Sequence, residues 1–108
     1  MARSALFKEI EALTDTIVSI YKPEKIILFG SYAYGRPHAD SDVDMLVIMP
    51  VRGKAACKAA EILEKINPAI PVDLLVRSSA QIRKRLALND FFLREVMTKG
   101  RILYEATD

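Results

Sequence analysis

Residues 30–44 read GSYAYGRPHADSDVD, and two apolar runs bracket them. Ile26-Ile27-Leu28-Phe29 leads into Gly30-Ser31, and Met45-Leu46-Val47-Ile48-Met49 follows Asp42-Val43-Asp44. Short β-branched runs bounded by turn residues read as buried strands. Residues 25–29 are therefore expected as a first strand and 43–49 as a second. Ser31-Tyr32-Ala33-Tyr34 is expected as a helical turn that Gly35 stops, with loop chemistry in the Gly-Arg-Pro-His that follows. The chain thus sets a glycine-serine turn at the end of one strand opposite carboxylates at the mouth of the next.

Working outward, residues 4–21 carry apolar side chains at 6, 10, 13, 17 and 20, a helical stripe with Ser4 as N-cap and Pro23 beyond its end. Residues 54–66 are alanine-rich, with Ala56, Ala59 or Ala60, Leu63 and Ile66 on one side, and Asn67-Pro68 breaks that helix. A third strand is expected over 70–76. Ser78 or Ser79 opens a helix with Ile82, Leu86 and Leu88 as its contacts. Asn89-Asp90 restarts a helix over 91–99 that Gly100 ends, and RILYE at 101–105 reads as a final strand. This order predicts an α+β fold, in two layers, with a mixed sheet of about four strands flanked by helices.

A length of 108 residues suits one domain, and the expected boundaries are 1–108. Apolar residues at 51% and charged residues at 28% describe an ordinary folded chain. A net charge of +2 makes no electrostatic case for nucleic acid. The single cysteine, Cys57, forms no internal disulfide and no metal-ligand pattern, and reads as a small side chain on a helix. No stretch approaches the ~18–20 apolar residues that span a bilayer, and charges interrupt the apolar N-terminal stretch, so no membrane contact and a cytoplasmic location are expected.

Side chains two apart on a strand share a face. With the second strand beginning at Asp42, Asp42 and Asp44 project side by side and repel. Such a pair suits a hard divalent cation such as Mg²⁺, which takes carboxylate oxygens. Asp40 reads as loop. Asp73, among apolar neighbours in the third strand, is expected as a third ligand, with a structural salt bridge as the alternative. Three carboxylates on adjacent strands can hold two Mg²⁺ about 4 Å apart for phosphoryl transfer. Gly30 permits close backbone approach and Ser31 can hydrogen-bond a phosphate oxygen, although Gly-Ser taken alone reads rather as an ordinary strand–helix turn with Ser31 as N-cap.

Taken together, Gly30-Ser31, ten further residues, Asp42-x-Asp44 and a later strand aspartate resemble the nucleotidyltransferase superfamily that includes DNA polymerase β. The small size resembles its minimal nucleotidyltransferase (MNT) members. The resemblance implies that Gly30 and Ser31 bind a nucleoside triphosphate. It implies that Asp42 and Asp44 ligate Mg²⁺, and that Asp73 completes the metal site and acts as general base. The implied reaction transfers a nucleoside monophosphate, AMP from ATP, to a hydroxyl and releases pyrophosphate. Minimal members are often the antitoxins of HEPN-domain toxins, and some adenylylate their partner, so a HEPN-domain protein is the expected partner. Too little chain follows the third strand for the second domain of larger relatives, so either a partner supplies the acceptor surface or the activity has been lost, and the intact motif argues against complete decay. A binding module that neutralises its partner by contact is a competing reading. Transfer to RNA or to a small molecule is another, and the absence of a strong basic face weighs against it.

Among other residues, Arg36 can reach a triphosphate oxygen or stand solvated in its loop. His38 reads as an exposed loop residue. Tyr32 and Tyr34 should face different ways. Phe91-Phe92 with Leu93, Val96 and Met97 exceeds one helical stripe, which leaves a surplus for a partner. Arg83-Lys84-Arg85 reads as a solvated helix face.

Overall fold

The computed structural model describes residues 3–35, 37 and 41–107, with side chains from residue 5. The readings at Arg36, His38 and Asp40 lie outside the described residues. In chain order the elements are α1 (Arg3–Tyr21), β1 (Lys25–Phe29), α2 (Ser31–Tyr34), β2 (Val43–Ile48), α3 (Ala55–Ile66), β3 (Val72–Arg77), α4 (Ser79–Ala87), α5 (Phe91–Lys99) and β4 (Arg101–Glu105). The strands form one sheet in the order β3-β2-β1-β4. β1 runs antiparallel to both β2 and β4, and β2 runs parallel to β3, so the sheet is mixed as expected.

The central places of β1 and β2 explain their continuous apolar sequences. Helices cover the sheet on both sides, so these strands bury both faces. On one side Ile10, Leu13 and Ile17 of α1 and Ile62 of α3 pack on Ile26, Leu28, Met45, Val47, Leu74 and Val76. On the other, Ile82 of α4 and Leu93 and Val96 of α5 pack on Ile27, Phe29, Leu46 and Ile48. The α+β class holds, with one helix layer more than the two-layer arrangement expected. Among the described residues no helix is long and apolar enough to cross a membrane.

Several boundaries and faces differ from the sequence reading. α1 opens at Arg3, ahead of the expected Ser4 cap. Its stripe turns through Thr14, whose hydroxyl donates to the Ile10 carbonyl at 2.8 Å and is satisfied inside the helix, and Ile20 is left exposed. α3 presents Ile62 to the core and leaves Ala56 and Ala60 outside; Cys57 is exposed on the same helix. Ile70 is buried, yet it precedes β3, which starts at Val72. Leu88 lies past the end of α4 and is exposed.

The caps follow local chemistry. Ser78 and Gln81 form a reciprocal capping box at the start of α4. Asp90 accepts from the Leu93 N–H at 3.0 Å to start α5. Gly100 ends α5 for a reason other than the left-handed cap expected of it. Its φ is −65°, but a β-carbon there would meet the Val96 carbonyl at 2.3 Å and Ile27 Cγ2 at 2.5 Å. Glycine is needed because the chain passes between the last turn of α5 and β1.

Candidate active site

Strand alternation sets the carboxylates on one face. Asp44 shares parity with Leu46 and Ile48, and Asp73 with Leu75, which places both on the side that α4 and α5 cover. Asp44 and Asp73 are direct partners in the parallel ladder, and Phe29 is the partner of Asp44 across the antiparallel one. Asp42 lies just before β2, which opens at Val43 as expected, and is exposed, so it precedes the strand and is not its first residue. Asp73 is also exposed and is the second residue of an edge strand, not a carboxylate buried mid-strand.

Gly30 joins the turn to this row. It adopts φ 74° and ψ −159°, backbone that only glycine enters readily. A β-carbon there would stand 2.1 Å from Asp44 Oδ2, so the turn rests directly against the carboxylate. Gly30 occupies the N-cap position of α2 and Ser31 the first helical one, so Ser31 is not itself the cap. Tyr32 joins the α1–α3 core and Tyr34 the α4–α5 core, facing apart as expected.

The electrostatics follow from the crowding. Burial pushes the Asp44 carboxyl above its usual value, and the charges of Asp73 and then Asp42 push it further. Burial likewise raises the Tyr34 hydroxyl, against a hydrogen bond from the Gly30 backbone that lowers it, with Glu95 and Asp44 adding to the rise.

The donor chemistry of this row fits a hard divalent cation. All three groups offer carboxylate oxygens, and the repulsion on Asp44 is what a cation relieves. Among the described residues no three His, Cys, Asp or Glu side chains converge enough to hold an ion by themselves. Mg²⁺ does not need that, because it commonly takes one or two carboxylates together with substrate phosphates.

A family model described as "Nucleotidyltransferase domain" matches residues 10–103. The chain belongs to this nucleotidyltransferase family. It is 31% identical over 99 residues to a Methanocaldococcus jannaschii protein named "Putative protein adenylyltransferase", across 90% of this chain and 96% of that one. Its structure is similar to that of a "putative nucleotidyltransferase" from Sulfolobus solfataricus, with a TM-score of 0.63 and 16% identity over 97% of this chain and 90% of the other. A toxin-antitoxin structure with AMP-PNP gives a TM-score of 0.58 at 24% identity, over 90% of this chain and 74% of that chain. A mutant of the toxin-antitoxin pair MntA-HpeT gives 0.56 at 22%, with the same coverage. At these identities the structural likeness speaks for the nucleotidyltransferase fold. The family and the transferase activity expected from the motif are thereby borne out.

The structure also places residues outside the motif beside the site. Phe92 at the start of α5 meets Phe29 edge-to-face, with ring centroids 5.5 Å apart. It therefore stands beside the ladder partner of Asp44. Below it, Leu75 and Arg77 of β3 with Gln81, Lys84 and Arg85 of α4 line a cleft of about 730 Å³. Arg77 was legible in principle, since it follows Asp73 at strand spacing. Lys84 and Arg85 sit in the run read as a solvated face; both are exposed, and both border this cleft.

Proposed function

We propose that this nucleotidyltransferase moves AMP from ATP to a hydroxyl on a partner protein, and that residues 1–108 act as one minimal catalytic domain. The reading is carried by one observation, the contact of Gly30 with Asp44 beside its ladder partner Asp73. The kinship with a relative named for protein adenylylation supports the acceptor class.

In this reading Ser31 and the Gly30 turn receive the triphosphate, and Asp42, Asp44 and Asp73 hold up to two Mg²⁺. The ions, when bound, neutralise phosphate charge and acidify the attacking hydroxyl. Asp73 accepts the proton from that hydroxyl as its oxygen bonds to the α-phosphorus. The bond from the α-phosphorus to the β-phosphate bridging oxygen breaks, and pyrophosphate leaves with the electron pair. The chain's own contribution is position: the turn and the carboxylates hold donor and acceptor in line. Arg36 is a further phosphate ligand in this reading. The likeness to toxin-antitoxin structures supports a HEPN-domain toxin as the partner, with this chain as its antitoxin.

The test is transfer of label from α-phosphate-labelled ATP with Mg²⁺ in an extract of the source cells, with wild type and Asp73→Ala side by side. A protease-sensitive band formed by wild type alone is the expected result. Nuclease-sensitive label would move the acceptor to RNA. No label, with Mg·ATP binding intact, would replace transfer by neutralisation through contact.

A further inference from the structure

The in-line geometry of phosphoryl transfer gives the site a direction. The proposed phosphate turn lies at the end of β1, and Asp44 and Asp73 follow on β2 and β3 in sheet order. Pyrophosphate leaving toward Gly30 and Ser31 requires the attacking hydroxyl on the opposite side. That side is the β3 edge, where the 730 Å³ cleft opens between β3, α4 and α5.

The cleft has a definite chemistry. Arg77, Lys84 and Arg85 face it against one carboxylate, Asp90, which Arg85 Nε holds at 3.1 Å. Phe92 borders it, and Leu88 in the adjoining α4–α5 turn and Phe91 at the start of α5 are exposed at 66% and 79%. Large apolar side chains left out beside a cationic cleft mark a surface for another macromolecule. Two uncompensated cations and a net charge of +2 are too few for the several phosphates that nucleic-acid binding engages. They suit a short acidic protein segment with an apolar anchor.

We infer that the β3–α4–α5 cleft docks the acceptor protein through an acidic segment next to the modified hydroxyl. The inference rests on the proposed transfer to protein and adds where the acceptor lies and what it carries. Asp73 and Arg77 are four residues apart on a strand, about 13 Å at ~3.3 Å per residue. With the hydroxyl at Asp73, the segment's carboxylates fall about four extended residues away, at Arg77 and Lys84.

The probe is a fluorescent random copolymer of glutamate and tyrosine, with a lysine–tyrosine copolymer and a single-stranded RNA oligomer as competitors. Wild type, Lys84→Glu and Lys99→Glu are titrated by anisotropy. Lys99 makes the same charge change on the other side of α5, where it lines a separate hollow with Tyr34 and Glu95. Binding to wild type that weakens at least tenfold in Lys84→Glu and stays within twofold in Lys99→Glu is the expected result. Equal binding by all three proteins, or no binding, overturns the inference, as does preference for the lysine copolymer or the RNA. Labelled ATP in the same tubes separates the two claims. Unlabelled copolymer that still binds through Lys84 counts against protein adenylylation and leaves the docking surface standing.

Discussion

Asp44 and Asp73 stand directly opposite one another in the parallel β2–β3 ladder, so two carboxylates share one face at one level. Burial and this neighbour hold the Asp44 carboxyl above its usual value of 3.8. An acid whose pKa is raised on folding favours the fold when protonated. Its contribution is full below about 3.8 and is lost as pH rises through the folded value. In chelator at neutral pH, Asp44→Asn should therefore melt higher than wild type, by about 2–4 °C for a half-exposed group. The gap should close in acid, below the ordinary carboxylate pKa. A melting series against pH checks this, and a gap that widens in acid would contradict it. Adding Mg²⁺ with a non-hydrolysable ATP analogue should reverse the order, raising wild type alone.

Gly30→Ala combines a disfavoured backbone with a collision at Asp44 Oδ2. The strain alone costs about 1–3 kcal/mol, and Mg·ATP binding should fall with it. Part of the cost is the collision, so it should shrink when Asp44→Ala is present as well. A double-mutant cycle in denaturant reads the difference, and strict additivity would argue against the contact.

Gly100→Ala should destabilise by about 1–3 kcal/mol although its φ suits any residue, because the β-carbon meets Val96 O and Ile27 Cγ2. Chemical unfolding measures this. A neutral result would mean that the α5–β4 joint yields more easily than its packing indicates.

Ser78→Ala should remove the α4 cap at a cost of about 1 kcal/mol. Unfolding and nucleotide titration on one sample give the pattern to look for, lower stability with unchanged Mg·ATP affinity.

The turn and the carboxylate row were legible in sequence because both use local rules. Glycine-serine closes an apolar run, and alternate aspartates share a strand face. α2, α5 and β4 start and stop where their glycines and caps place them. What was not legible depended on contacts distant in sequence. The role of Gly100 comes from its squeeze between the Val96 carbonyl of α5 and β1, and no local pattern records the approach of β1. The exposure of Asp73 comes from β3 being an edge strand, and the cleft at Arg77 and Lys84 from the packing of α4 and α5 over that edge. Periodicity proposed Ile20 for the core, but the stripe of α1 drifts away from it.

The ladder between β2 and β3 imposes a rule of parity on this enzyme's lineage. A slip of β3 by one residue would send Asp73 to the opposite face of the sheet, among the side chains that meet α1 and α3. A slip of two would keep it on the right face, one pleat away. Length changes in residues 49–71, before the strand, leave the phase of β3 untouched. A single insertion between Asp73 and Leu74 does not, so the third carboxylate tolerates drift in the chain before it and none between itself and the apolar residues that seat the strand.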